Sequence, residues 1–136
     1  MTVKPITCLT IVMETSRPFR LRLRLTGPHG IVMGPGRADL LALIAQTGSI
    51  AAAGRRMGMS YKRAWSLVES LNASFAAPLV ETAKGGATHG GARLTALGDE
   101  LLATYRALEQ AAETAGAAAL DRFESALAVP PAQNPR

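Results

Sequence analysis

"GSIAAAGRRMGMSYKRAWSLVESLN", Gly48 to Asn72, decides how this chain is read. It opens on a helix of small residues, breaks at Gly58 and resumes as a helix in which basic and apolar residues alternate. Ser49 is an N-cap for the first helix, from Ile50 to Met57, and Ser60 for the second, from Tyr61 to about Phe75. Gly58 supplies the left-handed backbone of a tight turn between them. Ala51, Ala52 and Ala53 allow the two helices to pack closely. Ala64, Leu67, Val68, Leu71 and Phe75 recur at helical spacing and form an apolar face. Lys62, Arg63, Ser66, Glu69 and Ser70 lie off that face, with the hydrogen-bond donors gathered in the first two turns. Helix, glycine turn, serine cap and basic helix make up the layout of a helix-turn-helix.

On the N-terminal side, "RLRLRLT" (Arg20 to Thr26) alternates strictly, with Leu21, Leu23 and Leu25 on one face of an expected strand. Arg20, Arg22 and Arg24 form its wet face and add to the positive field. "GPHG" turns the chain, "IVM" returns as a second strand, and "GPG" at Gly34 to Gly36 closes the hairpin. A helix is expected over Ala38–Gln46, with Leu40, Leu43 and Ile44 inward and Thr47-Gly48 as its stop.

On the C-terminal side, "LVETAKGGATHGGARLT" (Leu79 to Thr95) reads as a second hairpin with a glycine-rich tip from Lys84 to Gly91. A long helix then runs from Ala96 to Ala115 with a stripe of Leu97, Leu101, Tyr105, Leu108, Ala112 and Ala115. Gly116 interrupts it before Leu120, Phe123 and Leu127 resume the pattern. "VPPAQNPR" is expected to be a disordered tail. The expected organisation is an N-terminal segment over residues 1–19, one domain over 20–128 and the tail over 129–136. The fold class is mainly α with a small β component: a winged helix-turn-helix with an N-terminal strand or hairpin and a long C-terminal dimerisation helix.

Composition narrows the function. The 136 residues are 48% hydrophobic but only 4% aromatic, so the core is aliphatic and of one domain's size. Ten basic residues stand against three acidic ones up to Phe75, a net +7, and five against seven beyond it, a net −2. That polarity suits a polyanion bound by the first half. No run approaches the roughly 18 apolar residues of a membrane span, and a cytoplasmic protein is expected, with no membrane partner. Cys8 stands alone, and His29 and His89 are far apart, so neither a disulfide nor a metal site is expected. "GGATHGG" lacks the order of a phosphate loop. No Ser–His–Asp, paired-carboxylate or Cys–His arrangement can be argued, so the chain is read as a non-enzyme without a cofactor.

"TGSIAAAGRRMGMSYKRAWSLVESLN" followed by "LVETAKGGATHGGARLTALG" resembles the N-terminal DNA-binding domain of the ModE family of molybdate-responsive regulators. The resemblance rests on "SYKxAW" (Ser60 to Trp65), the glycine-rich wing and "LTxxG" (Leu94 to Gly98), in that order and spacing. It implies a homodimer on double-stranded DNA, with leading strands and last helices pairing. Complete members carry molybdate-binding modules with a "SARN"-like signature that nothing here matches. The expectation is therefore the DNA-binding half alone, with any molybdate response passing through another protein.

Lys62, Arg63 and Ser66 are expected to read the major groove. Ser60, Tyr61, Lys84 and Arg55 are expected to anchor phosphates, Ser60 being first of all a cap. Tyr61 is open between stacking on the DNA backbone and packing on the preceding helix; Trp65 belongs in the core or between helix and wing. The alternative is a dimeric protein-interaction module that keeps the winged-helix shape and binds an effector-carrying partner through its last helix. A third reading, an oxyanion binder using the wing glycines and Lys84, is separable from both by calorimetry with molybdate.

Overall fold

The computed structural model describes residues 19–83 and 91–128. The segment 1–18, the hairpin tip from Lys84 to Gly90, and the expected tail 129–136 lie outside the described residues. Backbone contacts divide the chain into two units. One is Arg22–Glu109; the other holds, among the described residues, 19–21 and 110–128.

Residues 19–24 are extended, with Leu21 and Leu23 half-buried and Arg20, Arg22 and Arg24 exposed, as the alternation predicts. Ladder pairing, however, starts only at Leu25. Strand β1 (Leu25–Gly27) pairs antiparallel with β2 (Gly30–Met33) across the Pro28-His29 turn. The expected seven-residue strand is shortened because its partner offers only four residues. The register also slips from Leu25↔Met33 to Thr26↔Ile31, which leaves Val32 as an extra residue in a bulge. Leu25, expected inside, is exposed.

Helix α1 runs over Pro35–Thr47, starting three residues before the expected Ala38. Pro35 is the reason: its fixed φ suits the first helical position, where no N–H bond is needed. Ala38, Leu40, Leu41 and Ile44 are buried, and Leu43 is partly so. Gly48 ends the helix in left-handed conformation (φ 73°), its N–H donating to the Ile44 carbonyl at 2.8 Å. Ser49 then caps α2 (Ile50–Arg56), accepting from the Ala52 N–H at 3.0 Å. After the left-handed Gly58 (φ 75°), Ser60 caps α3 (Tyr61–Ser74), accepting from the Arg63 N–H at 3.1 Å. Both expected caps and the turn are present.

The close approach of α2 to α3 is made by Ala53 and Gly54, both buried. A Cβ on Gly54 would lie 2.9 Å from the Ala64 Cβ. Met57 and Met59 fill the space around the turn. Ala64, Val68 and Leu71 are buried, with Leu67 and Phe75 packed at the edge of the same core. Burying a side chain such as Leu71 contributes about 1.5–3 kcal/mol.

The second hairpin pairs β3 (Val80–Thr82) with β4 (Ala92–Leu94) in the register Val80↔Leu94, Glu81↔Arg93 and Thr82↔Ala92. Its root is held on two sides. The Ala92 N–H donates to the Gly48 carbonyl at 2.8 Å. Asn72 of α3 accepts through Oδ1 from the N–H groups of Leu79 (2.8 Å) and Val80 (3.1 Å), and donates through Nδ2 to the Val80 carbonyl at 3.1 Å. Thr95 accepts from the Gly98 N–H at 2.9 Å and so caps α4 (Ala96–Ala115).

Tyr105 of α4 is buried and donates its hydroxyl to the Leu23 carbonyl at 2.7 Å, fixing the arm. Burial, and after it the nearby Glu109 carboxylate, push the Tyr105 phenol above its ordinary pKa. In the second unit, the Leu21 N–H donates to Glu113 at 3.3 Å, and Phe19 meets Phe123 edge-on with ring centres 6.2 Å apart. Helix α4 breaks at Gly116, as expected, and α5 (Ala117–Ser125) follows. Leu108, Phe123 and Leu127 are exposed in this chain alone.

Candidate nucleic-acid interface

Successive residues of a helix are turned by about 100°, so the buried Ala64, Val68 and Leu71 fix what every other position of α3 faces. Lys62, Ser66 and Glu69 lie opposite the buried line, and all three are exposed. Tyr61, Trp65 and Asn72 share the flank towards the β3–β4 wing. Arg63, Leu67 and Ser70 share the other flank, towards the arm and the start of α1.

The wing-side flank is semi-closed. Tyr61 is 58% exposed and stacks on Trp65, with ring centres 6.3 Å apart and planes 20° apart. Both rings, with Ser49, Ile50, Thr82 and Ala92, line a pocket of about 200 Å³ between the starts of α2 and α3 and the wing. Trp65 thus sits half-buried between helix and wing, one of the two positions expected of it. Tyr61 stacks within its own helix, beside the preceding one.

Ser60 is both cap and exposed residue. Its hydroxyl takes the Arg63 N–H, and the Ser60 carbonyl takes the Ala64 N–H at 3.0 Å. The N–H groups of Tyr61 and Lys62 have no partner among the described residues, and they open at the positive end of the helix dipole. Arg55 and Arg56 are exposed in the last turn of α2, where cations also suit the dipole. Among the described residues no charged group is buried and no group of three His, Cys, Asp or Glu could hold a metal ion. Lys84, expected on the wing tip, lies outside the described residues.

Six of the seven expected site residues are therefore described, and all six are exposed: Arg55, Ser60, Tyr61, Lys62, Arg63 and Ser66. They do not all face one way. Lys62 and Ser66 share the outward line, whereas Arg63 lines a groove with Arg22, Arg24 and Arg37. Sequence reasoning left that gathering unseen, because Arg22 and Arg24 stand some forty residues before Arg63 and their alternation speaks only of exposure. Asn72 was also missed; its sole sequence signal is a polar residue inside an apolar stripe.

A family model described as the bacterial regulatory helix-turn-helix protein, lysR family, matches residues 37–99. Over 105 residues the chain is 48% identical to the molybdenum-pterin-binding protein MopB of Rhodobacter capsulatus, covering 76% of this chain and 37% of that protein. Over 113 residues it is 35% identical to the molybdenum transport protein ModE of Azotobacter vinelandii, covering 83% and 40%. Over 76 residues it is 42% identical to the DNA-binding transcriptional dual regulator ModE of Escherichia coli K12, covering 56% and 29%. The chain spans two fifths or less of the length of these relatives.

Proposed function

The chain carries a winged helix related to the N-terminal region of the ModE-type molybdenum regulators, and from that premise we propose that it is a sequence-selective, duplex-DNA-binding transcription regulator. One observation carries the reading. A serine-capped helix presents Lys62 and Ser66 outward while its opposite line, Ala64, Val68 and Leu71, is sealed in the core. A helix so mounted fits the major groove, about 12 Å wide, and sets donors against base edges. Arg55, Ser60 and Tyr61 then stand where phosphates run, with Lys84 of the wing as a further anchor.

The regulator acts as a homodimer. Exposed Leu108, Phe123 and Leu127 supply apolar surface for a second copy, and two-fold symmetry calls for half-sites roughly 34 Å apart or a multiple of it.

The test is binding to duplexes that the protein enriches from a random pool, compared with mixed-sequence duplex. Lys62→Ala should weaken the enriched duplex by about 1–3 kcal/mol and flatten its preference over mixed sequence. Equal affinity of the wild-type protein for both duplexes, with no effect of Lys62→Ala, overturns the reading.

A further inference from the structure

The flank of α3 away from the wing closes onto a groove of about 460 Å³ whose charged lining is Arg22, Arg24, Arg37 and Arg63. No carboxylate lines it, and among the described residues none of the four is in an ion pair. Four guanidinium groups are brought together against their mutual repulsion.

Nor is the gathering a loose one. The Tyr105 hydroxyl holds the Leu23 carbonyl at 2.7 Å, between Arg22 and Arg24. The Arg24 stem passes over Gly34, where a Cβ would meet its Cγ at 3.5 Å. Arg37 donates to the Ser70 hydroxyl at 3.1 Å, which ties α1 to the same flank of α3. The start of α1 opens here too: Gly34 makes no side-chain cap, and the first turn holds no acidic residue. Cationic side chains held in place beside an uncapped helix start are complementary to a phosphate group.

The place of the groove selects the phosphate. An α-helix with its side chains is about 10–12 Å across and fills a major groove about 12 Å wide, so its two flanks meet the two sugar-phosphate strands. On α3 the outward line is Lys62 and Ser66, the wing lies on one flank, and the arginine groove lies on the other. We infer that Arg22, Arg24, Arg37 and Arg63 form a clasp for the backbone phosphates of the DNA strand opposite the wing. This rests on the DNA-reading orientation of α3 given above. It moves Arg63 from reading bases to holding phosphate, and turns the N-terminal arm into a second arm of the wing's kind.

The variant that tests it is Arg22→Gln with Arg24→Gln, both solvent-exposed, with Arg22→Lys and Arg24→Lys as the charge-preserving control. Binding is measured on enriched and mixed-sequence duplexes over a range of salt. The glutamine variant should weaken both duplexes by the same factor, lower the slope of log affinity on log salt by about 2, and leave the preference between them intact. The lysine variant should restore the slope. An unchanged slope in a glutamine variant that still melts like the wild type overturns the clasp, while Lys62→Ala on the same duplexes reports separately on the reading helix. Inorganic phosphate that binds the wild type and not the glutamine variant, with the DNA slope unchanged, also overturns it and leaves a small-anion site in its place. A wild-type protein that binds neither duplex overturns the clasp and the reading helix together.

Discussion

At Gly98 a Cβ would run into the carbonyl oxygen of Leu79, the residue that leads into the wing. Gly98 sits in the first turn of α4, where alanine ordinarily gains about 1 kcal/mol over glycine. Here the obstacle is backbone, which cannot rotate aside, so the steric term wins. Gly98→Ala should lower stability by about 1–3 kcal/mol net, read as a lower denaturant midpoint at unchanged slope. The glycine of "LTxxG" is thus explained by a contact that spacing alone cannot reveal. Ser49, Ser60 and Gly58 were legible from local chemistry, since caps and left-handed turns depend on neighbours within three or four residues. Arg63 was legible as exposed but not in its direction, because one residue along a helix turns a side chain by about 100°.

Between elements, Asn72 is the stitch that joins α3 to the wing through three hydrogen bonds. Asn72→Ala leaves the N–H groups of Leu79 and Val80 and the Val80 carbonyl without that partner. A loss of about 2–3 kcal/mol is expected, together with faster amide exchange at the root of the wing than in α1. The helices were legible nearly to their ends because their apolar stripes are long. The shortened β1 was not, since alternation of leucine and arginine records which face is wet but not whether a partner strand is present to pair. The early start of α1 had a signal in Pro35, which the flanking Gly34 and Gly36 made read as a loop.

For the molecule as a whole, the buried Tyr105 makes stability depend on alkaline pH. Its folded pKa is raised above the unfolded value, so its contribution is complete below about pH 10 and is lost as pH rises through the folded pKa. The melting temperature should fall over that alkaline window, and Tyr105→Phe should remove the extra loss. The same variant gives up the bond to Leu23, at a cost of about 1 kcal/mol at neutral pH. The division of charge at Phe75 was legible at this scale, and five of the basic residues on its positive side, Arg22, Arg24, Arg37, Lys62 and Arg63, line that groove or stand on α3. The hydrogen bond from Ala92 to the Gly48 carbonyl bears on how such a domain diversifies. It bolts the wing to the joint between α1 and α2 at its base, where backbone atoms alone do the fastening. Because neither partner atom belongs to a side chain, that fastening persists through any side-chain change that leaves the backbone in place.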